Sequence, residues 1–363
     1  MKIIRSSKTT LKFLTARKRQ TLDMIMDEYS KVVNIFIAMF WGNEFTLKDL
    51  TKTITNIPES WISARLRQCA AREALGMVNG ALESAKELEK EAVKPMHSGR
   101  KMVLSSQIAT IEKGRNSFDL WLILTSVGNK IRIEIPLKSH RHMNLFAEWN
   151  RSTTVTIHRH FVQFSYETTI EEKVKTGQCV GIDVGINHLL ATSQKELIGD
   201  QVKSLINRIK RKKQGSNQQK KARKTLSYYL HKTVKDYFQQ HNNLRLVVVE
   251  CLKGLKQGKQ KNRGKSFRKT LNNWNYRELL KIIEMRCEEN RVSFRSVNPY
   301  KTSQTCPVKT CSHIERENRS GSKFKCLQCG YEENADTVGS LNILDRFLSG
   351  PYGAAFKTKA VVL

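Results

Sequence analysis

The amino-acid sequence predicts an α+β protein with more than one domain, and three observations support this class. Its 363 residues are enough for two or three domains, each with a core of its own. Apolar residues recur at three- and four-residue steps from Thr15 onwards, as in helices, and at two-residue steps from about Met102, as in strands. Further on, buried-strand patterns alternate with helical ones, and four paired cysteines indicate a metal-stabilised module.

The charge of the chain favours a polyanionic partner. Lysine and arginine total 64 against 33 acidic residues, a net charge of +31 that is spread over most of the sequence. Binding to phosphates releases their condensed counterions, so nucleic acid is the expected partner. No stretch approaches the roughly 18 apolar residues of a membrane span, and no signal-peptide pattern opens the chain. We therefore expect a cytoplasmic, nucleoid-associated protein without a membrane partner, in a compartment where paired cysteines hold metal.

The first half of the chain is typical of strands that flank a helical block. Residues 2–14 predict one or two strands, and an apolar stripe at helical spacing follows from about Thr15. A second helical region begins after Pro58. Segments between Met102 and Thr168 alternate with period two, which predicts consecutive antiparallel strands in a small barrel or sandwich. If the opening strand joins them, the helical block is an insertion inside a barrel.

Three carboxylates stand at the ends of predicted elements in the second half. Asp183 lies in the buried strand VGIDVGINHLLATS, Glu250 ends the apolar strand LRLVVVE, and Asp336 precedes a helix-like segment. A strand-end aspartate often only caps a turn, but an ionised group in so apolar a run is costly unless a cation meets it. Neighbouring strands of an α/β sheet would bring Asp183 and Glu250 together. Carboxylate oxygens suit magnesium, and two such ions can hydrolyse a phosphodiester.

The cysteines separate into two groups. Cys306 and Cys311 form one close pair and Cys326 and Cys329 another, with a polar segment between them, and this spacing predicts a tetrahedral zinc site. The other four occur singly in apolar or helical surroundings, where we expect buried thiols. They are Cys69, Cys179, Cys251 and Cys287.

A strongly basic helical stretch, with a break at Gly215, precedes the strand that ends in Glu250. A solvated charged face is the plain interpretation of such a stretch, but its density favours contact with nucleic acid. After Glu250, a Gly- and Lys-rich loop from Lys253 to Lys269 is predicted to be mobile without a partner, and Trp274–Glu289 to be an amphipathic helix. The candidate nucleic-acid contacts are Arg208, Lys210, Arg211, Lys212, Lys213, Lys220, Lys221, Arg223 and Lys224.

Three stretches together resemble the TnpB proteins that insertion sequences encode, the compact relatives of type V CRISPR effectors. They are the strand VGIDVGINHLLATS, the strand VVVECLKGL and the block from NPYKTSQTCP through FKCLQCGYE to LNI. The resemblance is close from Val180 to Leu344, and the order of strands and helices before it is compatible. It implies four domains: a wedge-like β-barrel at 1–16 and 98–174, an inserted helical recognition domain at 17–97, an RNase H-like (RuvC) α/β nuclease domain at 175–302 and 333–363, and an inserted zinc ribbon at 303–332.

The resemblance also implies an activity and the residues that carry it. TnpB proteins cleave double-stranded DNA beside a short transposon-adjacent motif, directed by a guide RNA. Asp183, Glu250 and Asp336 match their catalytic carboxylates, which would hold two magnesium ions for phosphodiester hydrolysis. The paired cysteines match the ligands of a structural zinc, and Asn342 matches the asparagine that closes the last motif. The implied partners are a guide RNA and a DNA duplex, and the oligomeric state is left open.

Two departures from the family pattern lie near the cysteines and the last carboxylate. The first cysteine pair encloses four residues, PVKT, where two are common, and Asp336 is followed by Thr-Val-Gly and preceded by Ala335, where arginine is common. Two other functions stay open: a guide-dependent DNA-binding repressor that no longer cuts, and a zinc-ribbon DNA-binding accessory of transposition that uses no RNA. The presence of all three carboxylates favours the endonuclease over the repressor.

Overall fold

The computed structural model describes residues 2–87, 89–114, 116–252 and 264–351, and the chain divides into two compact units, Met1–Thr169 and Ile170–Leu363. Both units combine helices with sheets, which confirms the predicted α+β class. None of the helices in these ranges is long and apolar enough to cross a membrane.

The first unit contains the long helices that the apolar stripes predict. The helices are α1 Ala16–Phe40, α2 Lys52–Asn56, α3 Ala64–Glu87 and α4 Arg141–Asn144. Helix α1 begins after Thr15, whose side chain accepts a hydrogen bond from the backbone N–H of Lys18. The apolar faces of α1 and α3 pack in one core, in which Tyr29 and Phe36 are fully buried.

The strands of the first unit form two antiparallel sheets. One sheet has the order β1-β7-β6-β2, with β1 Lys2–Thr10, β2 Lys101–Leu104, β6 Asn150–His158 and β7 Phe161–Thr169. The other has the order β3-β4-β5, with β3 Ala109–Lys113, β4 Leu120–Leu124 and β5 Ile133–Leu137. Strand β1 pairs with β7 along its whole length, from Lys2 opposite Thr169 to Thr10 opposite Phe161. The opening strand therefore joins the later ones, and α1 to α3 are inserted between two strands of one sheet.

A five-stranded sheet forms the centre of the second unit, in the order β10-β9-β8-β11-β12. Its strands are β8 Gln178–Val184, β9 Leu190–Thr192, β10 Leu197–Ile198, β11 Leu244–Glu250 and β12 Ser293–Val297. Strands β8, β11 and β12 are parallel, whereas β9 and β10 are antiparallel to their neighbours. The helices of this unit are α5 Val202–Lys210, α6 Asn217–Gln240, α7 Lys265–Asn273, α8 Tyr276–Glu289 and α9 Ala335–Ser349.

Two details before β12 differ from the sequence prediction. The predicted loop up to Lys269 ends earlier, because α7 begins at Lys265, and residues 253–263 of that loop lie outside the described part of the chain. The amphipathic helix predicted from Trp274 starts at Tyr276 instead, since Trp274 is the C-cap of α7. Leu271 and Trp274 are both buried in the core, and this anchoring holds a polar-looking segment in helical form.

Helices cover both faces of the five-stranded sheet, and alternate residues of one strand face different layers. In β11, Val247 and Val249 pack in a core with α5, α6 and α8. Leu246 and Val248 pack instead against Ile343 of α9. We call the side that carries Val247 and Val249 the α6 face of the sheet, and the side that carries Leu246 and Val248 the α9 face.

Gly181 of β8 marks the closest approach between the sheet and α9. A Cβ atom added there would lie 2.2 Å from the carbonyl oxygen of Ser340 and 2.9 Å from the Cβ of Leu344. Because backbone cannot move aside without separating α9 from the sheet, Gly181→Ala should lower the free energy of unfolding in urea by about 3 kcal/mol. Gly80→Ala in α3 is the matched control, since nothing lies within 4 Å of its added Cβ, and it should raise stability by up to about 1 kcal/mol. Equal stability of Gly181→Ala and wild type would contradict this packing.

Candidate active site

Asp183 points toward α9. Its neighbours Ile182 and Val184 pack in the core of the α6 face, so the side chain between them lies on the α9 face. A Cβ atom added to Gly339 of α9 would lie 3.0 Å from Asp183 Oδ2. A side chain at position 339 would therefore crowd the carboxylate.

Glu250 and Asp336 reach the same place from two other elements. Glu250 is the last residue of β11, which runs parallel to β8 as its immediate neighbour. Asp336 lies in the first turn of α9, and its backbone N–H donates to Oδ1 of Asn334 at 2.9 Å. A Cβ atom added to Gly185, just past β8, would lie 3.9 Å from Asp336 Oδ2. The structure therefore brings all three predicted carboxylates together at one edge of the sheet.

The electrostatics of this cluster favour a bound cation. Burial, followed by the charges of Glu250 and Asp336, raises the pKa of Asp183 to about 8. Burial also raises the pKa of Glu250, although a hydrogen bond from Thr302 acts in the opposite direction. The nearby protein thus leaves the carboxylate charge incompletely neutralised. Three carboxylates offer the oxygen ligands that magnesium binds, and in the structure one oxygen from each does not lie within 4.8 Å of the other two.

The four paired cysteines form a compact group. The Sγ atom of Cys306 lies 3.6 Å from that of Cys329, and the Sγ atom of Cys311 lies 3.6 Å from that of Cys326. A tetrahedral zinc ion with Zn–S bonds of about 2.3 Å separates its sulfurs by about 3.8 Å, so the observed spacing fits zinc. Among the residues that the structure describes, no other cluster of histidine, cysteine or carboxylate groups brings three ligand atoms within 4.8 Å of one another.

A turn accommodates the longer spacing of the first cysteine pair. The backbone N–H groups of Cys311 and Ser312 both donate to the carbonyl oxygen of Val308, at 3.0 and 2.9 Å. The extra residues are taken up in this turn, and both sulfurs still face the second pair. Three short antiparallel strands complete the module and lead directly into α9: β13 Arg319–Ser320, β14 Lys323–Lys325 and β15 Glu332–Asn334.

Two residues that the sequence did not single out contact the carboxylates. Nη2 of Arg319 in β13 lies 2.9 Å from Asp336 Oδ1, which forms an ion pair. The hydroxyl of Thr302 donates a hydrogen bond to Glu250 Oε1. Both residues lie in polar segments around the cysteines that have no helix or strand period, so no pattern in the sequence marks them.

Asn342 holds the loop that carries Thr302. Its Nδ2 atom donates to the carbonyl oxygens of Thr302 and Thr305, at 2.7 Å each, and its side chain is buried in α9. An amide with two N–H donors can satisfy both carbonyls at once. Asn342 therefore does not touch Glu250 but fixes the position of Thr302, which does.

The predicted basic stretch forms α5 and α6, with the break at Gly215. Lys210 Nζ donates to Thr270 Oγ1 at 2.7 Å, and Arg223 Nη2 donates to Asn273 Oδ1 at 2.8 Å, so these two side chains are tied to α7. The remaining candidates face solvent fully or in part, and their contact with nucleic acid stays a prediction. They are Arg208, Arg211, Lys212, Lys213, Lys220, Lys221 and Lys224.

The prediction of buried single thiols is right for two residues and wrong for two. Cys69 and Cys287 are buried in helices, but Cys179 and Cys251 are half-buried. Cys179 lies near the start of β8 and Cys251 directly after β11.

Comparison with known sequences places this chain near compact nucleases. Residues 276–343 match the family model described as Cas12f1-like, TNB domain. The CRISPR-associated endodeoxyribonuclease Cas12f2 of a Micrarchaeota archaeon is 25% identical over 267 residues, which cover 61% of this chain and 49% of that protein. A TnpB-like protein of Methanocaldococcus jannaschii is 28% identical over 119 residues, or 32% of this chain and 41% of that protein. The chain thus spans about half the length of the Cas12f2 relative and less than half the length of the TnpB-like protein.

A solved structure shares the fold at low sequence identity. The mini-RNA-guided endonuclease CRISPR-Cas_phi3 aligns over 94% of this chain and 92% of its own, with a TM-score of 0.50 and 12% identity.

Proposed function

We propose that this chain, which belongs to the TnpB-like family of type V effectors, is an RNA-guided endonuclease that cuts double-stranded DNA beside a short adjacent motif. The observation that carries the proposal is the meeting of Asp183, Glu250 and Asp336 on one face of the sheet. They come from two parallel strands and the start of a facing helix. Support comes from the similarity in sequence to a CRISPR-associated endodeoxyribonuclease and from the fold shared with an RNA-guided endonuclease.

In this proposal the two units divide the work. The first unit, Met1–Thr169, would contain the helical recognition domain at 17–97 and all but the last five residues of the wedge-like barrel predicted at 1–16 and 98–174. The second would be the RuvC-like nuclease domain, at 175–302 and 333–363, with the zinc ribbon at 303–332. The net charge of +31 suits a protein that holds an RNA and a DNA duplex together.

The three carboxylates would hold two magnesium ions, which activate a water and stabilise the leaving oxygen of a phosphodiester. The residues around them keep the oxygens in place for that task. Thr302 orients Glu250 through its hydroxyl, and Arg319 orients Asp336 through its guanidinium. These contacts also offset part of the repulsion within the cluster while the ions are absent.

Zinc would have a structural role. The four cysteines lie between Thr302, which contacts Glu250, and Asp336 in the chain, and the module that they form carries Arg319. Closing the module around zinc would fix both contacts relative to the sheet. The metal would then support the positions of two carboxylates without touching the substrate.

Copurified nucleic acid tests the RNA-guided part of the proposal. The full chain, expressed with the DNA that flanks its gene and purified, should carry nucleic acid that DNase leaves intact and RNase removes, as read from the absorbance ratio. A guide is expected because base pairing with an RNA supplies the sequence specificity of RNA-guided nucleases. Preparations free of RNA that still bind DNA would favour the zinc-ribbon accessory of transposition instead.

A further inference from the structure

A stripe of exposed residues runs along α6 and is separate from the carboxylate site. Lys221, Lys224, Tyr228, Lys232 and Lys235 follow one another at three- and four-residue steps, so they share one side of the helix. All five are exposed, and Tyr228 is 71% exposed despite its large ring. These five residues are the Tyr228 stripe.

The charge of the Tyr228 stripe is not neutralised within the described part of the chain. None of its four lysines has an ion pair there, whereas lysines elsewhere, such as Lys195 and Lys325, are paired with glutamates. The opposite side of α6 is buried, which fixes the orientation of the helix. A row of lysines over about 21 Å of helix, at 1.5 Å per residue, therefore faces solvent with an aromatic ring near its middle.

This combination suits a single-stranded nucleic acid. Lysines attract the phosphates of a strand, and an exposed aromatic ring stacks on an unpaired base without regard to its identity. A double helix keeps the faces of its bases stacked inside, so it would leave the ring of Tyr228 without a base to stack on. The ring thus favours a strand with at least one unstacked base.

The position of the stripe excludes one strand. Helix α6 packs on the α6 face of the sheet, whereas Asp183 points to the α9 face, where Asp336 lies. A strand on the Tyr228 stripe is therefore on the other side of the sheet from the carboxylates. It is not the strand held at the site of cutting.

We infer that a single-stranded segment of the guide RNA lies along α6, with its phosphates near the lysines and one base stacked on Tyr228. The inference rests on the proposed function, which supplies an RNA as the second nucleic acid. It goes further in naming where an unpaired part of that RNA is held.

Photocrosslinking gives a readout that is specific to this position in a protein with many other basic residues. The full chain is mixed with a short oligouridine that carries 5-iodouridine, or with the corresponding oligodeoxyuridine, and irradiated. Mass spectrometry then identifies the crosslinked residue. The expected result is a crosslink at Tyr228 that is stronger for the RNA. Crosslinks that map elsewhere overturn the inference, and a stronger crosslink to the DNA at Tyr228 overturns the choice of RNA.

Matched variants test the ring and the lysines separately. Tyr228→Leu should lower the affinity for the oligouridine about fivefold or more, because a stacking contact is lost, while Tyr228→Phe should retain it. Lys224→Gln with Lys232→Gln should reduce the slope of log affinity against log salt by about 1.4. All three positions are exposed, so unchanged thermal unfolding is expected and confirms an intact fold.

The outcome separates this inference from the proposed function. If the protein cuts guided DNA, and the wild type and Tyr228→Leu bind oligouridine equally well, the proposed function stands and the inference about α6 is wrong. The protein could instead crosslink RNA at Tyr228, yet carry no RNA when purified and cut no DNA. In that case α6 is an RNA-binding surface, but the RNA that it binds is not a guide.

Discussion

Replacing Asp183 with alanine is expected to abolish DNA cutting and to leave the binding of RNA and target intact. Asp183 lies beside Glu250 and faces α9, so its loss removes one of the three carboxylates that would hold the metal ions. Charge stabilisation by such ions is worth several kcal/mol, so the cutting rate should fall about a thousandfold or more. Single-turnover cleavage of a labelled matched duplex in magnesium measures the rate, and a mobility shift measures binding.

Two comparisons make this result specific. Asp345→Asn changes the same residue type on an exposed part of α9 and should cut like wild type. Asp183→Asn, without divalent metal, should unfold at a higher temperature than wild type, because it removes one of three repelling carboxylates. Cutting at the wild-type rate by Asp183→Ala contradicts the assignment. If wild type binds the matched target and does not cut it, the guide-dependent repressor is the better description.

The second large effect is expected at Cys326. Cys326→Ser should lose the zinc ion, because a serine hydroxyl replaces one of four soft ligands. Structural zinc is worth about 10 kcal/mol or more to small domains, so the module should lose its fold. DNA cutting should then be lost as well, since the module carries Arg319 and leads directly into Asp336. Atomic emission gives the zinc content per protein, and thermal unfolding gives the stability.

Cys69→Ser is the control for this prediction. Cys69 is a buried single thiol of α3 in the first unit, far in sequence from the module. Its replacement should leave both zinc content and cutting unchanged, even if stability falls somewhat. A Cys326→Ser protein with one zinc ion and full activity would show that the cysteines are not the metal ligands.

The sequence predicted part of how the carboxylates come together: neighbouring strands would bring Asp183 and Glu250 close to each other, whereas only the family resemblance assigned Asp336 to the same site. Asp183 and Glu250 both follow runs of β-branched and apolar residues, which indicate buried parallel strands, and such strands end at the same edge of a sheet. The cysteine spacing predicted the compact sulfur group for a similar reason, since few arrangements satisfy four close ligands.

The supporting contacts were not predictable from the sequence. Arg319 is one of several charged residues between the cysteine pairs, and only the fold of the module decides that it, and not Arg316, meets Asp336. Likewise, Lys210 and Arg223 look like their basic neighbours in the sequence, but Thr270 and Asn273 of α7 accept hydrogen bonds from them. Such contacts depend on where non-periodic segments fold in space, which local patterns do not specify.

Guided cutting is tested most directly with the RNA that the protein itself carries. The protein is purified with this RNA, the RNA is sequenced, and two duplexes are made that differ only in whether they match its 3′ end, each beside a randomised adjacent segment. The expected result is magnesium-dependent cutting of the matched duplex alone, with one adjacent motif enriched among the products. Equal cutting of both duplexes, or binding of the matched duplex with no cutting in magnesium, would contradict an RNA-guided endonuclease.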